Sequence, residues 1–302
     1  MAVLSVILLS KQEKVHGTDR LVEAAGDRTD LELLHIDPHE LILGNGPGMP
    51  GIRHAKAALP DPRSSLLLPR SGSLTDEYSL FCLEQLEACG YRSLNPVAGI
   101  WQLRSKFRAQ QLLQEAGLRV PESVLLHSRS EECLEDIVAE LGGLPVVLKY
   151  LRGSRGRGVM KISDMDTIRS ILASLNMLKF DLMLQRFHPE AAAGSIRVIV
   201  LNGVAHCAME LRSGEGRSRS NLHEGGTPHL KELDGPLRRT AELAASCFGL
   251  GFAGVDIVET AEGLLVLEVN SGPGFRGMEE VHGQVVAESI ISACQELARS
   301  WG

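Results

Sequence analysis

Two apolar runs near the carboxyl end constrain the fold most: Gly254-Val255-Asp256-Ile257-Val258 and Leu264-Leu265-Val266-Leu267-Glu268-Val269-Asn270, the second continuing into Ser271-Gly272-Pro273-Gly274. Each reads as a short buried strand of branched and aliphatic residues, with the Glu262-Gly263 pair in the turn between them. Paired as a hairpin, they bring Asp256 near Glu268 and Asn270, and the last two, being two apart, point to one face. Burying two carboxylates on an apolar hairpin carries a charge penalty. A hard divalent cation relieves it, because Mg²⁺ takes oxygen from one or two carboxylates and completes its shell with water and substrate phosphates. The same residues also read as ordinary strand-end acids, with Asn270 opening a Gly/Pro turn. Taken alone, they admit both readings.

A chain of 302 residues suits two or three domains. Its net charge of −7 argues against a general nucleic-acid or membrane-surface binder. Cys82, Cys89, Cys133, Cys207, Cys247 and Cys294 are scattered without a C-x-x-C, which reads as buried free thiols in a reducing compartment. Ala2 to Ser10 is apolar but short, and Lys11-Gln12-Glu13-Lys14 follows at once, so it reads as a first strand rather than a signal peptide. No stretch is long enough to span a bilayer. A cytoplasmic protein with no membrane and no direct nucleic-acid partner is expected.

Strand, helix and strand at Val3–Leu9, Thr18–Ala25 and Leu31–Ile36 give a β-α-β rhythm that predicts a parallel sheet. Residues 44–63, rich in Gly and Pro, read as an irregular excursion. A strand at Ser65–Arg70 and a helix at Thr75–Ala88, stopped by Gly90, complete a first α/β domain ending near Asn95-Pro96. It has no G-x-G-x-x-G, which weakens a dinucleotide reading. A helix is then expected over Trp101–Ala116, with Lys106 inside it, and another over Glu131–Leu141. Strands are expected at Ser123–His127, Pro145–Tyr150, Met160–Ile162 and Leu182–Phe187, with a helix over Asp166–Leu175. Asn202-Gly203 between two apolar runs is the strongest hairpin signal in the chain. Helices over Pro236–Phe248 and Gln284–Ala298 flank the carboxyl-terminal hairpin.

Two further stretches carry possible chemistry. Lys149 ends a strand before Gly153-Ser154-Arg155-Gly156-Arg157-Gly158, whose glycines can bring backbone N–H groups close to an anion. This is no Walker A sequence, and a solvated turn beside a snorkelling lysine fits as well. Arg212, Arg219, Ser220, Asn221 and His223 lie in a polar segment that could clamp phosphoryl or carboxylate oxygens, or could simply face water. Lys106, between Arg104 and Arg108, reads by itself as part of a solvated basic face. No Ser/His/Asp or Cys/His arrangement is evident.

Taken in order, a lysine in a helix, a lysine on a strand, a glycine-rich loop, Gln185-Arg186-Phe187, Arg219-Ser220-Asn221-Leu222-His223 with Gly225-Gly226, Gly254-Val255-Asp256 and Glu268-Val269-Asn270 resemble the ATP-grasp superfamily. Within it the chain looks most like the RimK-type glutamate ligases, from the first strand to the last helix. The resemblance implies an α/β fold, α+β in the lid: a Rossmann-like pre-ATP-grasp domain over 1–97, a central lid over 98–184 and a carboxyl-terminal ATP-grasp domain over 185–302. It implies that Lys106 and Lys149 meet ATP phosphates under the loop of Gly153, Gly156 and Gly158. The backbone of Arg186 and Phe187 would meet adenine, Gln185 would belong to the same nucleotide site, and Ser195 would lie near the ribose. Arg219, Ser220 and Asn221 would touch phosphates, while Asp256, Glu268 and Asn270 would hold Mg²⁺ or Mn²⁺, as two ions.

The implied reaction joins a carboxylate to an amine. The acceptor carboxylate attacks the γ-phosphorus of ATP, and a glutamate-like amino acid displaces phosphate from the acyl phosphate, with Arg212 and Arg219 stabilising that intermediate. The acceptor would be a protein or peptide C-terminus; a carrier protein or small metabolite is the rival, and a non-catalytic ATP-binding regulator a third reading. A homo-oligomer is expected. Arg186 and Ser195 stand where the family usually has acids, and Ser271-Gly272-Pro273-Gly274-Phe275-Arg276 departs from its usual turn, where the acyl substrate could be selected.

Overall fold

The strands at the amino end are apolar on both sides because both faces of their sheet are covered. The structure, a computed structural model, describes residues 3–11, 15–26, 28–47, 51–70, 72, 74, 76–127, 130–151, 158–176, 182–212 and 226–301. Its first unit holds β1 (Leu4–Leu9), α1 (His16–Gly26), β2 (Leu31–Ile36), β3 (Leu41–Leu43), β4 (Ile52–His54), β5 (Ser65–Pro69), α2 (Glu77–Ala88) and β6 (Arg92–Ser93). The parallel sheet has the order β2-β1-β5-β6. Ile7, Leu9 and Leu67 on one face pack with Leu80 and Leu83 of α2, and Val6, Leu8, Leu66 and Leu68 fill the other. The stretch expected to be irregular holds β4, which pairs antiparallel with β3 just before that stretch. Three residues per strand leave too short an alternation to read among the glycines and prolines.

The helix expected over Trp101–Ala116 is two: α3 (Val97–Leu103) and α4 (Lys106–Glu115). Ser105 breaks the run, its Oγ accepting a hydrogen bond from the Arg108 N–H as an N-cap. Lys106 therefore heads a helix instead of sitting within one. The second sheet is antiparallel, in the order β7-β10-β8-β9, and is built from β7 (Ser123–Leu126), β8 (Val146–Tyr150), β9 (Val159–Ile162) and β10 (Leu182–Arg186). It packs on α5 (Leu134–Glu140) and α6 (Met165–Asn176) through Leu134, Ile137, Leu148, Ile168 and Leu184.

The third sheet, in the order β13-β12-β11-β14-β15, carries most of the site. α7 (Pro189–Ala193) leads into β11 (Gly194–Leu201), which turns at Asn202-Gly203, both at positive φ, into β12 (Val204–Arg212). β13 (Thr227–Lys231), α8 (Gly235–Ser246), β14 (Phe252–Thr260), β15 (Gly263–Asn270), α9 (Arg276–His282) and α10 (Val286–Arg299) follow. The short elements β6, α7, β13 and α9 carry too few apolar repeats to be read from sequence. One face of this sheet packs on α8 and α4 through Val198, Val255, Ala241 and Leu113. The other shares a core with the first sheet, where Ile199, Met209 and Phe252 meet Leu8, Leu66 and Ile290 of α10.

All six cysteines are free. Cys82, Cys207 and Cys294 are buried as expected, their thiols pushed up to about 12 by burial, whereas Cys89 and Cys133 are exposed. Among the described residues no helix is long and apolar enough to cross a membrane.

Candidate active site

β14 and β15 pair antiparallel with Asp256 opposite Glu268 and Gly254 opposite Asn270. Between Asp256 and Ile257 the register shifts, and Ile257 faces Val266, so Leu267 is the extra residue of a β-bulge. The bulge has a consequence for the faces. Val266 and Glu268, two apart, would otherwise share a side; instead Val266 enters the core while Glu268 joins Asp256 on the cleft side. The turn after Asn270 folds back tightly, and a Cβ on Gly254 would lie 2.6 Å from the Pro273 Cβ.

Basic side chains from three other elements meet these acids. Arg197 on β11 lies directly opposite Asp256 and grips it with two hydrogen bonds of 2.7 Å, Nε to Oδ1 and Nη2 to Oδ2. Lys106, at the head of α4, places Nζ 2.7 Å from Glu268 Oε1. Asn270 donates its amide Nδ2 to Asp256 Oδ2 at 3.3 Å. Lys149, opposite Met183 on the adjoining strand β10, lines the same pocket as Lys106, Gln110, Leu267 and Glu268. With the Lys106–Glu268 pair closed, the cavity is about 20 Å³, room for about one water. Gln110 Oε1 is buried there and has no hydrogen-bond partner among the described residues.

Burial, reinforced by Lys106, lowers the Lys149 ammonium to about 8, against an opposing pull from Glu268. Burial alone would raise the Glu268 carboxyl; Lys106, Lys149 and Arg197 outweigh it and hold it below the usual carboxylate range. The Glu268 side chain keeps 44% of its surface open to the cleft, so solvent screens much of this effect. Burial likewise disfavours the Arg197 cation, and Asp256 more than offsets it.

Two carboxylates and an amide on one face form the hard oxygen set that Mg²⁺ takes when phosphates complete its shell, so the residues fit that ion. Among the described residues no group of three or more His, Cys, Asp or Glu offers an all-protein metal cage.

The structure thus brings Lys106, Lys149, Asp256, Glu268 and Asn270 together. Ser195 lies two residues from Arg197 on the same face of β11. Gln185 is buried and donates from Nε2 to Ser123 Oγ at 3.0 Å. The Arg186 N–H is committed to the Glu122 carbonyl at 2.9 Å, and its guanidinium turns outward to Glu122. Phe187 carries the Lys161 ammonium over its ring at 4.4 Å. Gly158 closes the β8–β9 hairpin. Arg212 is not gathered in: it is exposed and bonds Glu210. Strand alternation, with Leu211 in the core shared with the first sheet, puts Arg212 on the opposite face from Asp256. Gly153, Gly156, Arg219, Ser220 and Asn221 lie outside the described residues.

Three contributors were not read from the sequence. Arg197 had a visible signal, a lone charge inside the apolar run Ser195-Ile196-Arg197-Val198-Ile199-Val200. Arg70 is buried between Phe252 and Phe275 and donates to the Pro273 carbonyl at 3.2 Å; burial lowers it to about 10. Asn95 donates to the carbonyls of Phe252 and Ser271 and accepts from the Phe252 N–H, pinning both ends of the hairpin. Neither contact has a local sequence signature, because both join segments more than 150 residues apart.

Comparison with known proteins bears on what this arrangement serves. Residues 103–294 match a RimK-like ATP-grasp domain. A probable alpha-L-glutamate ligase of Marinomonas sp. (strain MWYL1) is 34% identical over 295 residues, 98% of this chain and 96% of that protein. The crystal structure of a RimK domain ATP-grasp protein from Sphaerobacter thermophilus DSM 20745 superposes with a TM-score of 0.71 at 24% identity, covering 95% of this chain and 98% of that one. The ATP-grasp ligase PsnB, complexed with a phosphomimetic variant of its minimal precursor, Mg and ADP, gives 0.71 at 20% identity over 98% and 99% of the two chains.

Proposed function

The chain belongs to the RimK-like ATP-grasp family and is an amino-acid ligase that uses ATP to form carbon–nitrogen bonds, and on that premise we propose that it adds glutamate or a similar amino acid to a protein or peptide C-terminus. The observation that carries the reading is the convergence of Asp256, Glu268 and Asn270 with Lys106 and Lys149 in one pocket. The peptide acceptor draws support from PsnB, which is complexed with a precursor. In this reading the ligase is cytoplasmic and homo-oligomeric, divided near residues 97 and 184.

The acceptor carboxylate attacks the γ-phosphorus of ATP, the bond to the β-phosphate oxygen breaks, and ADP leaves. The amine then attacks the acyl carbon and inorganic phosphate departs, the amine proton passing to solvent. Lys106 and Lys149 bind the phosphates and offset the charge of the in-line transfer. Asp256, Glu268 and Asn270 would hold Mg²⁺, which supplies charge neutralisation across the phosphate oxygens when bound. Ser195 reaches the ribose side of the cleft, and the hairpin closed by Gly158 excludes water from the intermediate. Arg219, Ser220 and Asn221 complete the phosphate contacts in this reading. Arg212, on the far face of the sheet, is left without a part in it.

The test is ADP release from ATP across a panel of amino acids with a peptide acceptor, followed by mass analysis of the acceptor. Release that depends on glutamate, with a matching mass increment on the peptide, is the expected result. Glu268→Ala should abolish it while leaving the circular dichroism unchanged; undiminished turnover would remove Glu268 from the site.

A further inference from the structure

We propose that Arg197 and Lys106 hold the acid pair Asp256 and Glu268 closed against a free divalent cation, so that the ion is taken up only together with the nucleotide. The proposal rests on the ligase reading above and deepens it.

Both oxygens of Asp256 are engaged by the Arg197 fork at 2.7 Å, and the Arg197 and Asp256 side chains are only 18% and 14% exposed. Glu268 is engaged by Lys106 at 2.7 Å, with Lys149 in the same pocket. Among the described residues, three cationic side chains therefore face two carboxylates. A bare divalent ion would enter a site already carrying a net positive charge, in partly desolvated surroundings where repulsion is strong. A metal–nucleotide complex has a net negative charge and is attracted to the same site.

The two cations have different parts. Arg197 is held in strand register and its planar fork is matched to the carboxylate, so it stays and fixes how Asp256 is turned. It is a positioning residue. Lys106 ends in a point charge on a flexible stem at the first position of α4, and it can leave Glu268 for a phosphate oxygen. With Lys106 on Glu268 the cavity holds about one water; releasing it frees both the space and the carboxylate.

Mn²⁺ binding to the full chain, followed by water-proton relaxation enhancement with and without a non-hydrolysable ATP analogue, tests this directly. The method separates ion on the protein from ion on free nucleotide. Wild type should bind Mn²⁺ weakly alone and much more tightly with the analogue. Arg197→Met should gain about tenfold in nucleotide-free Mn²⁺ affinity through loss of one repelling charge. Adding Glu268→Gln to Arg197→Met should cancel that gain, which places the ion at this site. Should Arg197→Met fail to fold, Lys106→Met at the helix head should show the same gain. Equal wild-type affinity with and without the analogue, or no gain in either variant, overturns the proposal while leaving the ligase reading intact. Mn²⁺ binding in neither condition would remove the metal site itself, and the proposal with it.

Discussion

Lys149 has the charge state most open to experiment. In the folded protein its pKa is lowered to about 8, chiefly by burial, against 10.5 for an ordinary lysine. Between those values the unfolded chain binds the extra proton, so stability rises with pH across that window and is flat below it. The unfolding free energy of wild type minus that of Lys149→Met should therefore climb from about pH 8 to about pH 10.5. A difference independent of pH would show that the ammonium is not desolvated. Lys149 loses its charge in the same window, so ATP affinity of the free enzyme should fall above pH 8. Gln110 is its quieter neighbour: a buried acceptor with no partner among the described residues costs stability, and a site that accepts ligand is where such a cost is tolerated.

At the level of elements, what matters is where a strand or helix is made to depart from its regular form. Ser105 breaks a helix so that Lys106 comes to its head, and the bulge at Leu267 turns Glu268 to the cleft. The β8–β9 hairpin depends on Gly158, which sits at φ +80 with its Cα against Tyr150; a Cβ there would lie 2.1 Å from the ring. The Tyr150 N–H donates to the Gly158 carbonyl at 3.0 Å, so the same residue closes the ladder that carries Lys149. Gly158→Ala should lower stability by about 1–3 kcal/mol, read as a lower denaturant midpoint, through left-handed backbone strain and overpacking. An unchanged midpoint would mean the tyrosine ring moves aside freely.

Across the whole molecule, the first and third sheets are bound into one body. Leu8 and Leu66 share a core with Phe252 and Ile290, and Asn95, just after β6, bonds Phe252 at the start of β14 and Ser271 just past β15. Asn95→Ala strands two carbonyls and an N–H in a buried place and should cost about 2–4 kcal/mol. The two sheets should then still unfold in one transition, seen by urea with fluorescence and circular dichroism overlaid. Separate transitions for the two probes would show that the shared core does not couple them. The pairing also reaches the turn Gly272-Pro273-Gly274, whose Pro273 carbonyl is held from the first unit by Arg70.

The sequence by itself determined the longer strands, most of the longer helices and the order of the chemistry along the chain. Apolar periodicity is local, and the spacing of Glu268 and Asn270 fixes a shared face whatever else the chain does. It also placed Asp256 near them, but the register set by the turn alone would put Asp256 opposite Leu267; the bulge at Leu267, which no local pattern announces, brings Glu268 to its side. Tertiary structure alone decided that Arg197 grips Asp256, that Lys106 comes from a separate helix to Glu268, and that Arg212 falls on the far side of its sheet. Those outcomes depend on which strand lies beside which and on where a helix is capped. Such contacts are set by packing between segments far apart in the chain, and no window of neighbouring residues carries that information.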